Sequence, residues 1–276
     1  MVLDLTVGAG GHAAALLDAG VDRVVGVDRD AEALAVAARR LSGYGQRFTA
    51  VNARFSRVLE AAEEAGVERA GAVLYDVGLS SLQLGRPERG FSYRAEGPLD
   101  MRMGGEDRTA ADVVNGYSEE ELVRVLRDYG EERRARRIAG AIVRARERAP
   151  LRTTRELAAV VAAAVPRRRG GPHPARRTFQ AIRIEVNREL EELGASLPRA
   201  VQLLGPGGRL VAISYHSLED RIVKRFLLGD DRLEVVTRKP VRPAPAEVAG
   251  NPRARSARLR AAERTGRRAG PRGAGA

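Results

Sequence analysis

The sequence predicts an α/β fold, a doubly wound and mostly parallel sheet interrupted by an inserted all-helical region. Three features carry this expectation. Apolar runs alternate with helical stretches through the first hundred residues. A glycine-rich turn follows the first apolar run directly. From Thr109 the periodicity becomes purely helical, until a late apolar run returns at residues 209–215.

Taken in order, Val2-Leu3-Asp4-Leu5-Thr6-Val7 reads as a short buried strand, and Gly8-Ala9-Gly10-Gly11-His12 leads from it into an apolar helix over 13–19. A strand follows at 23–27, a helix at 31–41, and further strands at 47–51 and 71–76, each bounded by Gly, Asn or Asp. Alternation of this kind implies right-handed crossovers and a site at the carboxyl ends of the strands. Asp4, Asp28 and Asp76 all fall at such ends and are expected to share one crevice. Beyond Thr109, Ser118-Glu119-Glu120-Glu121 is a capping box for a helix whose stripe is Leu122, Val125, Leu126 and Tyr129, with Gly130 as its stop. Thr153-Thr154-Arg155-Glu156 opens another helix, and an arginine-crowded third lies between them. Arg167-Arg168-Arg169-Gly170-Gly171-Pro172 reads as an irregular basic loop. Phe179, Ile182, Val186, Leu190 and Leu193 predict one long helix leading back to the sheet. Pro206-Gly207-Gly208 then turns into the late strand, and from Lys239 the composition is that of a Pro-, Ala-, Gly- and Arg-rich tail, ordered only where it meets the body or an RNA. The organisation expected is a first sheet segment over 1–107, a helical insertion over 108–180 and a second sheet segment over 181–276.

A strand ending in a glycine-rich turn lets a cofactor approach the backbone and presents the next helix's N–H groups, while Asp28, twenty residues past Gly8, suits ribose hydroxyls in a Rossmann-like unit. This pattern predicts a nucleoside cofactor. Gly8-x-Gly10-x-x-Ala13 also satisfies the loose dinucleotide fingerprint. Asp4, an acidic residue four positions before the first glycine, resembles the first motif of S-adenosyl-L-methionine methyltransferases, whose cofactor carries a cationic sulfonium and an ammonium, and a pyrophosphate site would not suit a carboxylate there.

Composition narrows the chemistry. The chain has no cysteine, which excludes disulfides, thiolate metal sites and the covalent cysteine adduct that carbon-5 methylation of a pyrimidine usually needs. With only His12, His173 and His216, spread along the sequence, no metal site is expected. No run of about eighteen apolar residues and no signal-peptide pattern occurs, so the expectation is a soluble cytoplasmic protein. The net charge of +12 is segregated: residues 133–188 carry +13, residues 238–276 carry +9, and the remainder carries −10. Two basic regions on an acidic body predict a polyanionic partner held outside the cofactor crevice. Arginine supplies nearly all of this charge, which a GC-rich coding bias would also produce, but bias does not explain the segregation.

Asp76-Val77-Gly78-Leu79-Ser80-Ser81-Leu82-Gln83 follows the fourth strand, where a methyl acceptor would lie. The lone pair of an exocyclic base amine is delocalised into the ring. A carboxylate, a hydroxyl and turned backbone carbonyls that accept its N–H hydrogens restore its nucleophilicity. Turn formation alone would equally account for Ser80 and Ser81.

Gly10-Gly11-His12, Val27-Asp28-Arg29-Asp30, Asp76 to Leu84, Glu88-Arg89-Gly90-Phe91-Ser92-Tyr93, Gly97-Pro98-Leu99-Asp100-Met101-Arg102-Met103, Tyr129-Gly130-Glu131-Glu132-Arg133, Arg177-Thr178-Phe179-Gln180-Ala181, Ser214-Tyr215-His216-Ser217-Leu218-Glu219-Asp220-Arg221 and Asn251-Pro252-Arg253-Ala254-Arg255-Ser256 follow in order along nearly the whole chain. Together they resemble the bacterial 16S rRNA (cytosine-N4)-methyltransferase family. The resemblance implies S-adenosyl-L-methionine as methyl donor, and 16S rRNA or the small ribosomal subunit as partner. The implied acceptor is the N4 amine of one cytidine in the decoding region, extruded from any stack and methylated by direct in-line transfer. It implies cofactor contacts at Gly10, Gly11, His12, Asp28, Phe55, Asp76 and Gln83; beside it, the chemistry of the acceptor makes Asp76 and Ser80 the expected contacts of the amine, and His216, on the loop after the late strand, is expected to close the pocket. The resemblance also implies a segment with a His-x-Pro-Val stretch ahead of the first strand. The present sequence begins inside that strand, so a downstream start or a truncation is expected. Leu82, Tyr75 and Tyr215 stand where the family often has Pro, Leu and Phe. Two rival readings are an NAD-dependent oxidoreductase and a non-catalytic ribosome-assembly binder.

Overall fold

The computed structural model describes residues 1–105, 108–165, 171 and 173–266. The chain divides into two compact units, one of Met1–Gly78 with Leu190–Ala276, the other Leu79–Glu189.

In the first unit, β1 (Val2–Asp4), α1 (Gly11–Asp18), β2 (Val24–Asp28), α2 (Ala31–Arg40), β3 (Phe48–Asn52), α3 (Val58–Glu64) and β4 (Ala70–Asp76) alternate as the apolar pattern requires. The second unit holds α4 (Ser81–Gly85), α5 (Ala110–Gly116), α6 (Glu119–Asp128), α7 (Ala135–Arg146), α8 (Thr154–Ala164) and α9 (Arg176–Asn187). The chain then returns through α10 (Glu189–Leu203), β5 (Leu204–Ser214), α11 (Ser217–Gly229), β6 (Leu233–Val235), α12 (Pro245–Gly250) and β7 (Arg258–Arg264). The seven strands form one sheet in the order β3-β2-β1-β4-β5-β7-β6, parallel from β3 to β5, with β7 antiparallel to both neighbours.

Alternating side chains build a core on each face. Leu3, Val25, Val73 and Leu210 pack with Val58 and Ala61 of α3 and Leu193, Leu197 and Val201 of α10. Val2 and Val24 pack on the other face with Ala13 and Leu17 of α1 and Leu34 and Ala37 of α2. Helices on both faces are what bury strands that are apolar throughout. At Gly26 in β2 any Cβ would lie 2.7 Å from Val7 Cγ2 and 2.9 Å from a Phe48 ring carbon, so only glycine lets the chain after β1 cross there.

In the second unit, α5 to α9 surround a core that includes Leu122, Leu126, Ile138, Ile142, Leu157, Phe179 and Ile182. Capping boxes start α5, α6 and α8 at Thr109, Ser118 and Thr153, the last two as the sequence predicts. Phe91, Leu99, Met101 and Met103 belong to the same core. Asn187 fastens their segment by accepting from the Met103 N–H at 2.8 Å and donating to the Met101 carbonyl at 2.7 Å.

Four sequence expectations change. The unit boundaries fall at 78/79 and 189/190 rather than at 107/108 and 180/181, because the segment after β4 buries its apolar side chains among the helices, as do Ile182 and Val186 of α9. The long helix through Phe179 and Leu193 is two helices, α9 and α10, broken at Arg188, whose φ of 52° is left-handed. A bidentate Arg183–Glu189 pair at 2.8 and 2.9 Å spans that break. The first strand is shorter than 2–7, since the ladder ends at Asp4 and the chain turns toward the glycine loop. The arginine-rich tail contains β7, an interior strand of the sheet. Arg260 is buried there because Asp220 of α11 accepts from its guanidinium at 2.6 and 3.3 Å. The basic loop at Arg167, Arg168 and Arg169 lies outside the described residues.

Candidate active site

Because β2, β1 and β4 are adjacent and parallel, their terminal carboxylates Asp28, Asp4 and Asp76 stand side by side at one sheet edge, the convergence expected from the sequence. Asp4 is fully buried. Its Oδ1 accepts from the Thr6 N–H at 3.2 Å, while Oδ2 has no hydrogen-bond partner. Burial pushes its pKa up to about 7, opposed by the Thr6 hydrogen bond and reinforced by the charges of Asp76 and Asp28. Asp28 Oδ2 accepts from the Gly8 N–H and Oδ1 from the Asp30 N–H, both at 2.9 Å. Burial raises the Asp28 pKa as well.

The glycine loop closes on this group. Gly8 and Gly10 adopt left-handed φ values of 50° and 80°, and a Cβ at Gly10 would sit 3.0 Å from Leu41 Cδ1. Gly10 is also the N-cap of α1 and supplies no side-chain cap, so Gly11 and His12 start the helix with its first-turn N–H groups uncapped by any side chain. Half-exposed His12 places Nε2 3.1 Å from Asp76 Oδ2, a contact that raises the His12 pKa despite partial burial. On the other side the Tyr215 hydroxyl donates to Asp76 Oδ1 at 3.0 Å. Burial, followed by the charge of Asp76, raises the Tyr215 pKa. The Asp76 N–H donates to Thr6 Oγ1 at 2.6 Å, tying β4 to the turn after β1.

The remaining expected residues have other surroundings. Phe55 is half-buried against the sheet core, edge-on to Tyr75 with ring centroids 6.1 Å apart. Ser80 and Gln83, in the second unit, form a capping box on α4: the Gln83 N–H donates to Ser80 Oγ at 3.2 Å and the Ser80 N–H to Gln83 Oε1 at 3.0 Å. His216 is the N-cap of α11, its Nδ1 accepting from the Glu219 N–H at 3.4 Å and its Nε2 2.9 Å from Glu219 Oε1. Buried Glu219 also accepts from the N–H groups of Tyr215 and His216 at 2.9 and 3.2 Å, which pins the turn carrying Tyr215. Thr6, Tyr215 and Glu219 are functional candidates that sequence reasoning left unassigned. Tyr215 stood out only as a hydroxyl where the resembled family has phenylalanine.

The arginines of the second unit divide into two groups. Arg146 donates to the Val114 carbonyl at 2.8 Å and Arg183 pairs with Glu189, so both are structural. Arg134, Arg136, Arg137, Arg144, Arg148, Arg176 and Arg177 are exposed. Among the described residues no group of metal ligands forms, and no helix is long and apolar enough to cross a membrane.

A cluster of three carboxylates, one with a buried oxygen lacking a partner, suits a cationic and hydroxyl-bearing ligand and disfavours a pyrophosphate. Residues 1–265 match the model of the MraW methylase family. Proteins named "Ribosomal RNA small subunit methyltransferase H" are similar over 96% of the chain. That of Acidothermus cellulolyticus is 52% identical with 87% of its length covered, and that of Gloeobacter violaceus is 54% identical with 82% covered. The Nocardioides protein of the same name is 47% identical, with 90% covered. The chain belongs to the MraW methylase family, a family of methyltransferases whose methyl donor is S-adenosyl-L-methionine.

Proposed function

We propose that this chain methylates the exocyclic N4 amine of one cytidine in the decoding region of small-subunit ribosomal RNA. The observation that carries the reading is the carboxylate row Asp28, Asp4 and Asp76, with Asp76 held between His12 and Tyr215. S-adenosyl-L-methionine supplies an electrophilic methyl group on a cationic sulfonium. Asp28 accepts from the ribose hydroxyls, and the free lone pairs on its two oxygens remain available beside the Gly8 and Asp30 N–H bonds. Asp4 balances the positive charge from beneath the glycine loop, and Gly10, Gly11 and His12 line the methionine portion. Phe55 borders the adenine.

On the acceptor side, Asp76 draws on the N–H hydrogens of the cytosine amine and localises its lone pair. The Asp76 carboxylate carries the charge for this, with His12 and Tyr215 fixing its plane. His216 acts with Glu219 to hold the turn over the pocket. With no cysteine in the chain, direct transfer needs no covalent enzyme adduct. The exposed arginines of the helical unit grip RNA backbone, as their number and the sequence's charge segregation favour.

The test is transfer from labelled S-adenosyl-L-methionine to small-subunit rRNA taken from cells lacking this protein, followed by nuclease digestion and mass mapping. N4-methylcytidine at a single decoding-region position is expected. Label on another base, or on no RNA, overturns the proposal.

A further inference from the structure

The first unit contains a second concavity, away from the carboxylate row. A cleft of about 340 Å³ opens between the last two turns of α11, β6 and the residues after β6, with Leu227, Leu228 and Val235 as its apolar walls and Lys224 and Arg238 at its sides. Its volume falls at the lower end of the range of about 300–1,000 Å³ for small-ligand pockets, so it admits a single group of about the size of a base. Arg260 also lines it, but its charge is taken by Asp220. Lys224 and Arg238 form no ion pair among the described residues.

The surroundings are equally basic. Residues 221–242 hold seven basic and three acidic side chains, and one of those acids, Asp230, is already paired with Arg232 at 2.6 Å. Arg225, Lys239 and Arg242 are exposed on this stretch, and Leu228, at 66%, is the most exposed of the large apolar side chains among the described residues. An apolar slot flanked by unneutralised cations matches a nucleotide, whose base is flat and weakly polar and whose phosphate is anionic. An acidic peptide would use the cations but would leave the slot unfilled. Lys224 lies eight residues past His216, so the cleft stands about 12 Å along the α11 axis from the turn that carries Tyr215.

We propose that this cleft is an auxiliary RNA subsite that receives one unstacked nucleotide of the substrate, its base against Leu227, Leu228 and Val235 and its phosphate on Lys224 and Arg238. The inference rests on the reading of RNA as substrate and adds a contact outside both the cofactor crevice and the helical unit. It makes substrate affinity depend on a region that does not touch the reacting atoms.

The chain itself supplies a probe, because Lys224 and Lys239 are its only lysines among 48 basic residues. Amine acylation read by mass spectrometry therefore reports on this face alone, apart from the N-terminus. Protein-free 16S rRNA should slow acylation of Lys224 at least about fivefold, and S-adenosyl-L-methionine alone should not. The Lys224→Ala/Arg238→Ala protein should bind S-adenosyl-L-methionine normally and keep kcat, with KM for rRNA raised about tenfold. Loss of the one phosphate that these two cations neutralise should also flatten the slope of log affinity against log salt by about 0.7. Unchanged acylation and unchanged KM in an enzyme that methylates rRNA would overturn the subsite and leave the substrate assignment standing. A wild-type protein that transfers no methyl group to rRNA would overturn the assignment itself. Protection of Lys224 by small-subunit proteins but not by naked rRNA would make the cleft a protein-docking site instead.

Discussion

Replacing Asp4 by asparagine should stabilise the ligand-free protein and weaken cofactor binding together. Asp4 is fully buried, and its pKa of about 7 against an ordinary value of 3.8 corresponds to about 4 kcal/mol of destabilisation once the pH exceeds both values. The folded form holds its proton to higher pH than the unfolded form. The Asp4 penalty is therefore absent below about pH 4, grows as pH rises through the interval to about 7, and is level above it. Asparagine keeps the acceptor for the Thr6 N–H and removes the ionisation, but its amide hydrogens replace an oxygen that has no partner, at a cost of about 1–3 kcal/mol. The net gain at pH 8 is then about 1–3 kcal/mol. Urea unfolding of both proteins at pH 5 and pH 8 measures it, and the difference between them cancels Asp28 and every other titrating group. Calorimetry with S-adenosyl-L-methionine should show weaker binding to Asp4→Asn. Parallel stability curves for the two proteins from pH 5 to pH 8 would refute the assignment of a strained carboxylate at this position.

Asp28→Ala should weaken S-adenosyl-L-methionine binding by about 2–3 kcal/mol through lost charge-assisted hydrogen bonds, and an unchanged calorimetric affinity in a folded protein would remove Asp28 from the ribose site. Ser80→Ala should lower the single-turnover methylation rate and cost about 1 kcal/mol of stability through the lost N-cap of α4, with cofactor affinity retained. If its rate equals wild type, Ser80 is a cap and nothing more. Tyr215→Phe removes the donor to Asp76 Oδ1 without changing ring volume. It should lower kcat several-fold while KM for rRNA stays constant; an unchanged kcat would confine Tyr215 to packing.

Much of the site was legible in the sequence because its determinants are local. A strand, a glycine turn with left-handed φ and an acidic residue at the next strand's end are specified by consecutive residue types, and parallel alternation brings the ends of β1, β2 and β4 together whatever the loops do. The capping boxes at Ser118 and Thr153 are likewise written within four residues each. Tertiary structure decided what depends on distant partners. Arg-Leu-Arg-Ala-Ala-Glu-Arg at 258–264 looks like tail until Asp220, forty residues upstream of Arg260, neutralises the buried guanidinium and lets the segment become β7. The break between α9 and α10 depends on a left-handed residue that is not glycine, spanned by the Arg183–Glu189 pair. Tyr215 joins Asp76 across 139 residues of sequence, and Ser80 and His216 prove to be helix caps as well as candidates for chemistry. The sequence by itself determined which residues are chemically able to serve. Only the folded chain decided which of their lone pairs and hydrogens are already spoken for, since hydrogen-bond satisfaction is a property of three-dimensional neighbours and not of spacing along the chain.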